Sequence, residues 1–219
     1  MSRHLMGKLI AILIVAIGSI STRANGLESL ESFVKTVKTG KADFSQVVTP
    51  PAKEGQTPRI KTSTGTFEFS RPGQFKFVYK KPFEQTIVAD GQTLWLYDVD
   101  LNQVTARKQA QVLGSTPAAL VASAADLKAL QADFTLVNEP GRAPDKDGLD
   151  WVSATPKTKD GQVQTVRIGF RQNTLAVLEI LDSFGQTSRM SFNGFVVNAA
   201  LDASAFQFKP PAGADVLRQ

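Results

Sequence analysis

The sequence has no cysteine, and its one histidine, His4, falls in an N-terminal segment that reads as removable. Without that segment the chain holds neither residue type. That excludes thiol nucleophiles, a disulfide framework, Cys/His zinc sites, a Ser-His-Asp triad and an imidazole base. A second scarcity is of long apolar runs. The longest spans residues 9–17, too short to cross a bilayer, which takes about 20 apolar residues. Preceded by Arg3 and Lys8 and followed by small and polar residues, it has the layout of an export signal. Thr22 and Ala24 suit the −3 and −1 positions of a cleavage site after residue 24. The expected organisation is a signal peptide over 1–24 and one domain over 25–219, in an exported compartment.

Charge of one sign is also scarce once the leader is set aside. The leader holds Arg3, Lys8, Arg23 and no acid, so 22 basic residues face 20 acidic ones in the remaining 195. The formal charge falls from +5 to +2. The nearest basic cluster, Lys80 and Lys81, is too small for a nucleic-acid footprint. A composition of 42% hydrophobic and 21% charged residues is that of a globular protein rather than a disordered one.

What is present is mostly strand pattern. Leu27, Leu30, Phe33, Val34 and Val37 share one helical face, with Asn25 and Glu28 as a capping box and Gly40 as the expected stop. Strand signals follow over 43–49, 63–70, 75–80, 85–89, 93–98 and 103–107, with 50–58 as a hairpin loop. Two short helices are expected next. One spans 117–122 behind Thr116 as its cap. The other starts at Ser123, with Asp126 three residues on, and runs to about residue 132. Strands resume over 134–138, 149–154, 164–171, 175–182 and 187–197, with a short piece at 206–208. The predicted fold is mainly β (α+β): one antiparallel sheet of about eleven strands, curled, with three short α-helices.

Alternation places Phe75, Phe77 and Tyr79 on one face, and likewise Ile168 with Phe170 and Leu178 with Ile180. In Leu94-Trp95-Leu96-Tyr97 both faces are apolar. A curled sheet of this kind has a concave face that either encloses a cavity or is filled as core, and composition favours the filled core.

Motif fragments of catalysis do not survive inspection. Ser32-Phe33-Val34-Lys35 and Lys38-Thr39-Gly40 echo penicillin-interacting enzymes but crowd into one helix and its end. Asp98-x-Asp100-x-Asn102 starts like a calcium loop, yet Gln103 and Gln109 stand where such a loop needs Gly and Glu. No Gly-rich phosphate loop or nucleophile elbow is present. The reading is of a non-enzyme with no metal and no cofactor.

One stretch is distinctive: Gly65-Thr66-Phe67-Glu68-Phe69-Ser70-Arg71-Pro72-Gly73-Gln74-Phe75-Lys76-Phe77, then Ile87-Val88-Ala89-Asp90-Gly91 and Leu94-Trp95-Leu96-Tyr97-Asp98. Three pieces agree in order: Ala42-Asp43-Phe44-Ser45-Gln46, Ser115-Thr116-Pro117-Ala118-Ala119-Leu120, and Asp202-Ala203-Ser204-Ala205-Phe206-Gln207-Phe208-Lys209-Pro210-Pro211. Together they resemble the LolA family, periplasmic carriers of outer-membrane lipoproteins. The resemblance implies an unclosed β-barrel with a helical lid around a cavity for acyl chains, and it reverses the preference for a filled core. It implies that Arg71, in the family's R-P-x-x-F position, latches the lid by bonding to its backbone. Phe75 and Phe77 match wall positions. Tyr79, Ile87, Trp95, Tyr97, Leu120, Ile168, Phe170, Leu178 and Ile180 complete the expected acyl-chain site.

The implied partners are outer-membrane lipoproteins as cargo, the inner-membrane LolCDE transporter and the receptor LolB, with no nucleic acid and a monomeric carrier. The missing cysteine separates the chain from LolB, which is itself a lipoprotein. The rival reading is a lipid-binding or envelope-stress sensor module on a similar half-barrel. Such sensors usually carry a second domain, for which 195 residues leave little room.

Overall fold

The computed structural model describes residues 25–52, 55, 57–112, 121, 124–139, 148–158 and 161–219. The expected leader lies outside these residues. So do Leu120 and most of the expected 117–122 helix, of which Val121 alone is described, helical and buried.

Helix α1 (Gly26–Thr36) begins as the sequence predicts. The Asn25 side chain accepts from the Glu28 N–H at 3.0 Å, and the Glu28 carboxylate accepts from the Asn25 N–H at 3.2 Å. These reciprocal bonds satisfy donors that a helix N-terminus leaves without intrahelical partners. Its end differs from the expectation. The helix stops at Thr36, and Gly40 lies in the first strand instead of capping the helix. A Cβ at Gly40 would come within 2.3 Å of the Phe69 ring, so close packing across the sheet is what requires glycine there.

The remaining chain builds one sheet. Its first six strands are β1 (Thr39–Thr49), β2 (Lys61–Ser70), β3 (Gln74–Lys81), β4 (Gln85–Asp90), β5 (Thr93–Asp98) and β6 (Gln103–Lys108). Helices α2 (Gln109–Val112) and α3 (Leu127–Asp133) follow. Then come β7 (Phe134–Asn138), β8 (Asp150–Pro156), β9 (Val163–Arg171), β10 (Thr174–Asp182) and β11 (Thr187–Val197). No strand forms at 206–208: Phe206 ends a 3-10 turn, Ala203–Phe206, and residues 207 and 208 follow it without regular structure. The turn is opened by Asp202, whose carboxylate accepts from the Ser204 N–H at 2.7 Å. The last strand, β12 (Asp215–Arg218), is too short to leave a periodic signal in the sequence.

The strand order is β12-β6-β5-β4-β3-β2-β1-β11-β10-β9-β8-β7. Among the described residues twelve strands form an open sheet with β12 and β7 as its two edges. The described pairings are antiparallel except β12 with β6, which run parallel. Meander connections explain the order: β1 to β6 follow one another, as do β7 to β11, and the long pairing of β1 with β11 joins the two halves. Among the described residues no helix is long and apolar enough to cross a membrane.

The main core sits on one face of this sheet. Phe44, Phe67, Phe69, Phe75 and Phe77 from β1 to β3 meet Val166, Ile168 and Phe170 from β9 there, and α1 covers them with Leu30, Phe33 and Val34. We call this face concave and the other convex. Helix α3 is capped by Asp126, whose carboxylate accepts from the Ala129 N–H at 2.8 Å. Asp126 is thus the cap itself, not the third residue after a Ser123 cap. It places Leu130 in the same core.

Candidate functional site

The turn between β2 and β3 carries Arg71, Pro72 and Gly73. Gly73 has φ +80°, a backbone shape that glycine adopts without cost. From this turn the Arg71 side chain reaches back over the concave face. Its Nε donates to the Val37 carbonyl and its Nη1 to the Ala124 carbonyl, both at 2.9 Å. The Arg71 backbone N–H donates to the Lys38 carbonyl at 2.8 Å. One residue thereby joins the sheet to the end of α1 and to the segment leading into α3.

The surroundings of the guanidinium are apolar. Its carbon lies 5.3 Å from the Phe33 ring centroid and 5.1 Å from that of Phe69. Such contacts attract a cation to the ring faces. Burial lowers the Arg71 pKa to about 10, so it remains charged at neutral pH. A cation beside the last carbonyls of α1 also suits the negative end of the helix dipole. Those carbonyls are capped a second time by Asn198, whose amide donates to the Thr36 carbonyl at 3.1 Å. One guanidinium atom, Nη2, is buried and has no hydrogen-bond partner among the described residues.

The expected acyl-chain residues divide into two groups. Phe75, Phe77, Ile168, Phe170 and Leu178 are buried in the concave core, and Tyr79, Ile87 and Ile180 pack half-buried against it. Burial pushes the Tyr79 hydroxyl up to about 12, so it is a neutral phenol. Rings fill the face densely. Phe67 stacks on Phe77 at 4.4 Å between centroids, and Phe33 of α1 lies 5.7 Å from Phe170 and 6.1 Å from Phe69. Beyond Tyr79 the surface turns polar, in a cleft of about 510 Å³ lined by Gln46, Ser63, Gln85 and Asp98 with Phe83 and Leu101 at its rim. A second cleft, about 400 Å³, follows the seam where Glu31 and Lys35 of α1 face Leu127 and Lys128 of α3.

Trp95 and Tyr97 do not belong to this face. Ile87 pairs with Leu96 and Ala89 with Leu94, so the two leucines take the concave side. Trp95 and Tyr97 point to the convex side, against Phe208 at 5.4 and 6.2 Å. On that side their polar ends, which need partners when covered, find them. The Trp95 ring N–H donates to Asp90 at 2.8 Å, and the Tyr97 hydroxyl contacts the Asn102 side-chain oxygen at 3.2 Å. The aromatic concave core offers few such groups. Leu120 lies outside the described residues.

Sequence reading passes over several contributors. Phe44, Phe67 and Phe69 are within its reach, since they alternate in register with Gly65, whose missing side chain leaves room for the Phe44 ring. The carbonyls of Val37 and Ala124 carry no side-chain signal at all.

Residues 35–209 match the family described as outer membrane lipoprotein carrier protein LolA. An outer-membrane lipoprotein carrier protein of Albidiferax ferrireducens is 73% identical over 200 residues, covering 90% of this chain and 92% of the relative. One of Leptothrix cholodnii is 52% identical over 199 residues, covering 91% and 88%. Among solved structures, an uncharacterized conserved protein from Thermus thermophilus has a TM-score of 0.53 at 11% identity, covering 88% of this chain and 96% of that one, a likeness of fold alone. With a family match over residues 35–209 and relatives this similar along nearly their whole length, the chain belongs to the LolA family of outer membrane lipoprotein carrier proteins.

Proposed function

We propose that this chain is a periplasmic, non-enzymatic carrier that takes lipoprotein acyl chains onto its concave face and hands them to a receptor. The observation that carries the reading is Arg71, which ties the sheet to both covering segments by two side-chain bonds to backbone. In this state α1 occupies the apolar face. Loading then exchanges one apolar cover for another: helix out, hydrocarbon in.

Magnitudes favour a cover of this kind. Burying one CH₂ contributes roughly 0.8 kcal/mol, so one sixteen-carbon chain contributes about 12 kcal/mol. Two such chains fully buried would already pass the practical affinity ceiling of ~20 kcal/mol, and such a carrier would not release its cargo. A closed empty state held by Arg71 offsets part of that gain. The unpartnered Nη2 keeps the hold moderate, because a buried donor without an acceptor costs stability.

The leader over 1–24 is removed on export, loading comes from the inner-membrane LolCDE transporter, and delivery is to the outer-membrane receptor LolB. Arg71→Leu is expected to destabilise the closed form and prolong cargo retention, read as lipoprotein transfer from carrier to receptor. Transfer at the unmodified rate would remove the latch role. Mass spectrometry of material co-purified from periplasm tests the carrier role itself. Acylated peptides support it; free lipid alone points to a lipid-binding module, and turnover of a substrate to an enzyme. N-terminal sequencing of the exported protein tests cleavage after Ala24.

A further inference from the structure

Gln109 is the first residue of α2 and is 2% exposed, one of few buried polar side chains among the described residues. Both ends of its amide are used. Nε2 donates to the Gly73 carbonyl at 2.6 Å, and Oε1 accepts from the Gly91 N–H at 2.9 Å. Its backbone N–H donates to the Gln92 carbonyl at 2.8 Å. The side chain thus joins the turn that carries Arg71 to the turn between β4 and β5, at the point where the chain leaves the sheet for α2.

The chemistry restricts what can stand here. One side chain must offer a donor to Gly73 and an acceptor to Gly91 at once, which the two ends of the Gln109 amide do without a charge. At Gly73 a Cβ would make only an ordinary 3.4 Å contact with Gln109 Nε2, so it is the positive φ of the turn, not lack of space, that favours glycine there. The Arg71 turn is held from two sides: the Arg71 N–H bonds to the Lys38 carbonyl on one, and Gln109 bonds to Gly73 on the other. Without the second hold, Pro72 and Gly73 are free to tilt, and the guanidinium that starts from this turn loses its aim at Val37 and Ala124.

We infer that Gln109 is a positioning residue for Arg71, fixing the turn from which the latch reaches the covering segments and linking that turn to α2. The inference rests on the latch reading of Arg71. A purely structural glutamine would lower stability without changing how Arg71 engages its carbonyls.

The test uses the mature chain and two readouts. The first needs no cargo: hydrogen exchange of the Arg71 side-chain Nε–H by nitrogen-resolved NMR. Gln109→Glu keeps the acceptor for Gly91 and loses the donor to Gly73. It also sets a buried carboxylate against the Gly73 carbonyl, so the thermal midpoint falls, and Arg71 Nε–H exchange is expected to accelerate at least fivefold beyond what that loss of global stability produces. Ser188→Ala, another buried polar site far from the turn, is expected to leave that exchange as it is. The second readout is the dissociation rate of a dye-labelled tripalmitoylated peptide, chased with unlabelled peptide. Gln109→Leu and Arg71→Leu are each expected to slow dissociation, and the double variant to be within twofold of Arg71→Leu alone. Additive effects in the double variant, or Nε–H exchange in Gln109→Glu no faster than its loss of global stability produces, overturn the inference. Failure of the peptide to bind the unmodified chain would sink the carrier reading, and the exchange experiment would still decide the role of Gln109. Should Gln109→Leu not fold, Gln109→Glu serves both readouts.

Discussion

The two faces of the sheet are both apolar in part, yet they are covered in different ways. The concave face is one continuous cluster of phenylalanines and aliphatics under α1, held through Arg71. The convex face carries separate patches. Trp95 and Tyr97 lie under Phe208 of the C-terminal segment, which β12 pins along β6. Trp151 is packed with Leu149 and Val177 and flanked by Arg167 and Arg189, whose carbons lie 5.2 and 5.9 Å from its ring. Both arginines pair with Glu179, and Arg167 also with Glu139. The contrast teaches that the kind of cover follows the chemistry beneath it. The concave face is lined mainly by residues that ask for no hydrogen bond, and its cover is a helix held at a few points. The convex face has polar-tipped aromatics bonded to neighbours and a cover woven into the sheet edge.

The largest expected effect lies at the centre of the concave face. Phe67→Ala should cost about 3–5 kcal/mol, the range for emptying a buried aromatic site. Urea unfolding would measure it, and a loss below about 1 kcal/mol would mean the face is loosely filled. Gly65→Ala comes next. Its Cβ would meet the Val78 carbonyl oxygen at 2.1 Å and the Phe44 ring at 2.9 Å. Overpacking of this kind costs about 1–3 kcal/mol, read from the same unfolding curves.

On the convex face Trp95→Ala should cost about 1–2 kcal/mol, less than the 1.5–3 kcal/mol of a fully buried large side chain, because Trp95 is only half-buried. If Trp95→Ala proved as damaging as Phe67→Ala, the two faces would be equivalent and the contrast would fall.

A smaller effect is set by pH. Burial alone would raise the Asp90 pKa, but bonds from the Thr93 N–H, the Trp95 ring and the Gln92 N–H outweigh it and hold the carboxyl below its ordinary value. A depressed carboxylate contributes stability that is complete above the unfolded pKa of about 3.9 and lost as pH falls through the folded one. In a Trp151→Phe background, Trp95 fluorescence should therefore stay constant down to about pH 4 and change below it. A transition near neutral pH would contradict the assignment. The smallest effect belongs to the rim of the polar cleft. Phe83 and Leu101 are 71% and 70% exposed, so Phe83→Ser and Leu101→Ser should each shift stability by no more than about 0.5 kcal/mol.

Much of this can be read from the residues in order. The capping box at Asn25 and Glu28 forms as expected, because its partners lie three residues apart and local geometry alone joins them. The bounds of β5, β7 and β11 agree with the strand signals, since β-branched and aromatic runs bounded by turn residues are local features of the chain. The placement of Phe75 and Phe77 follows from the alternation, since period two is a property of the strand itself. β12 escapes such reading because four residues hold no period, and its parallel partner β6 lies about a hundred residues earlier in the chain. The face of Trp95 and Tyr97 is misjudged from sequence because a strand apolar on both sides does not say which side is inward; the register with β4 does.

By itself, then, the sequence determined what is local: the α1 start, most of the strands, the turns, the thiol chemistry ruled out by missing cysteine, and the Arg71 turn as the distinctive motif. Only the tertiary structure decided which carbonyls Arg71 reaches, why Gly40 must be glycine, and that Gln109 sits between two turns. Those facts depend on groups 18 to 53 positions apart in the chain. Backbone carbonyls are chemically alike at every residue, so only the folded chain can single out the ones a guanidinium will find.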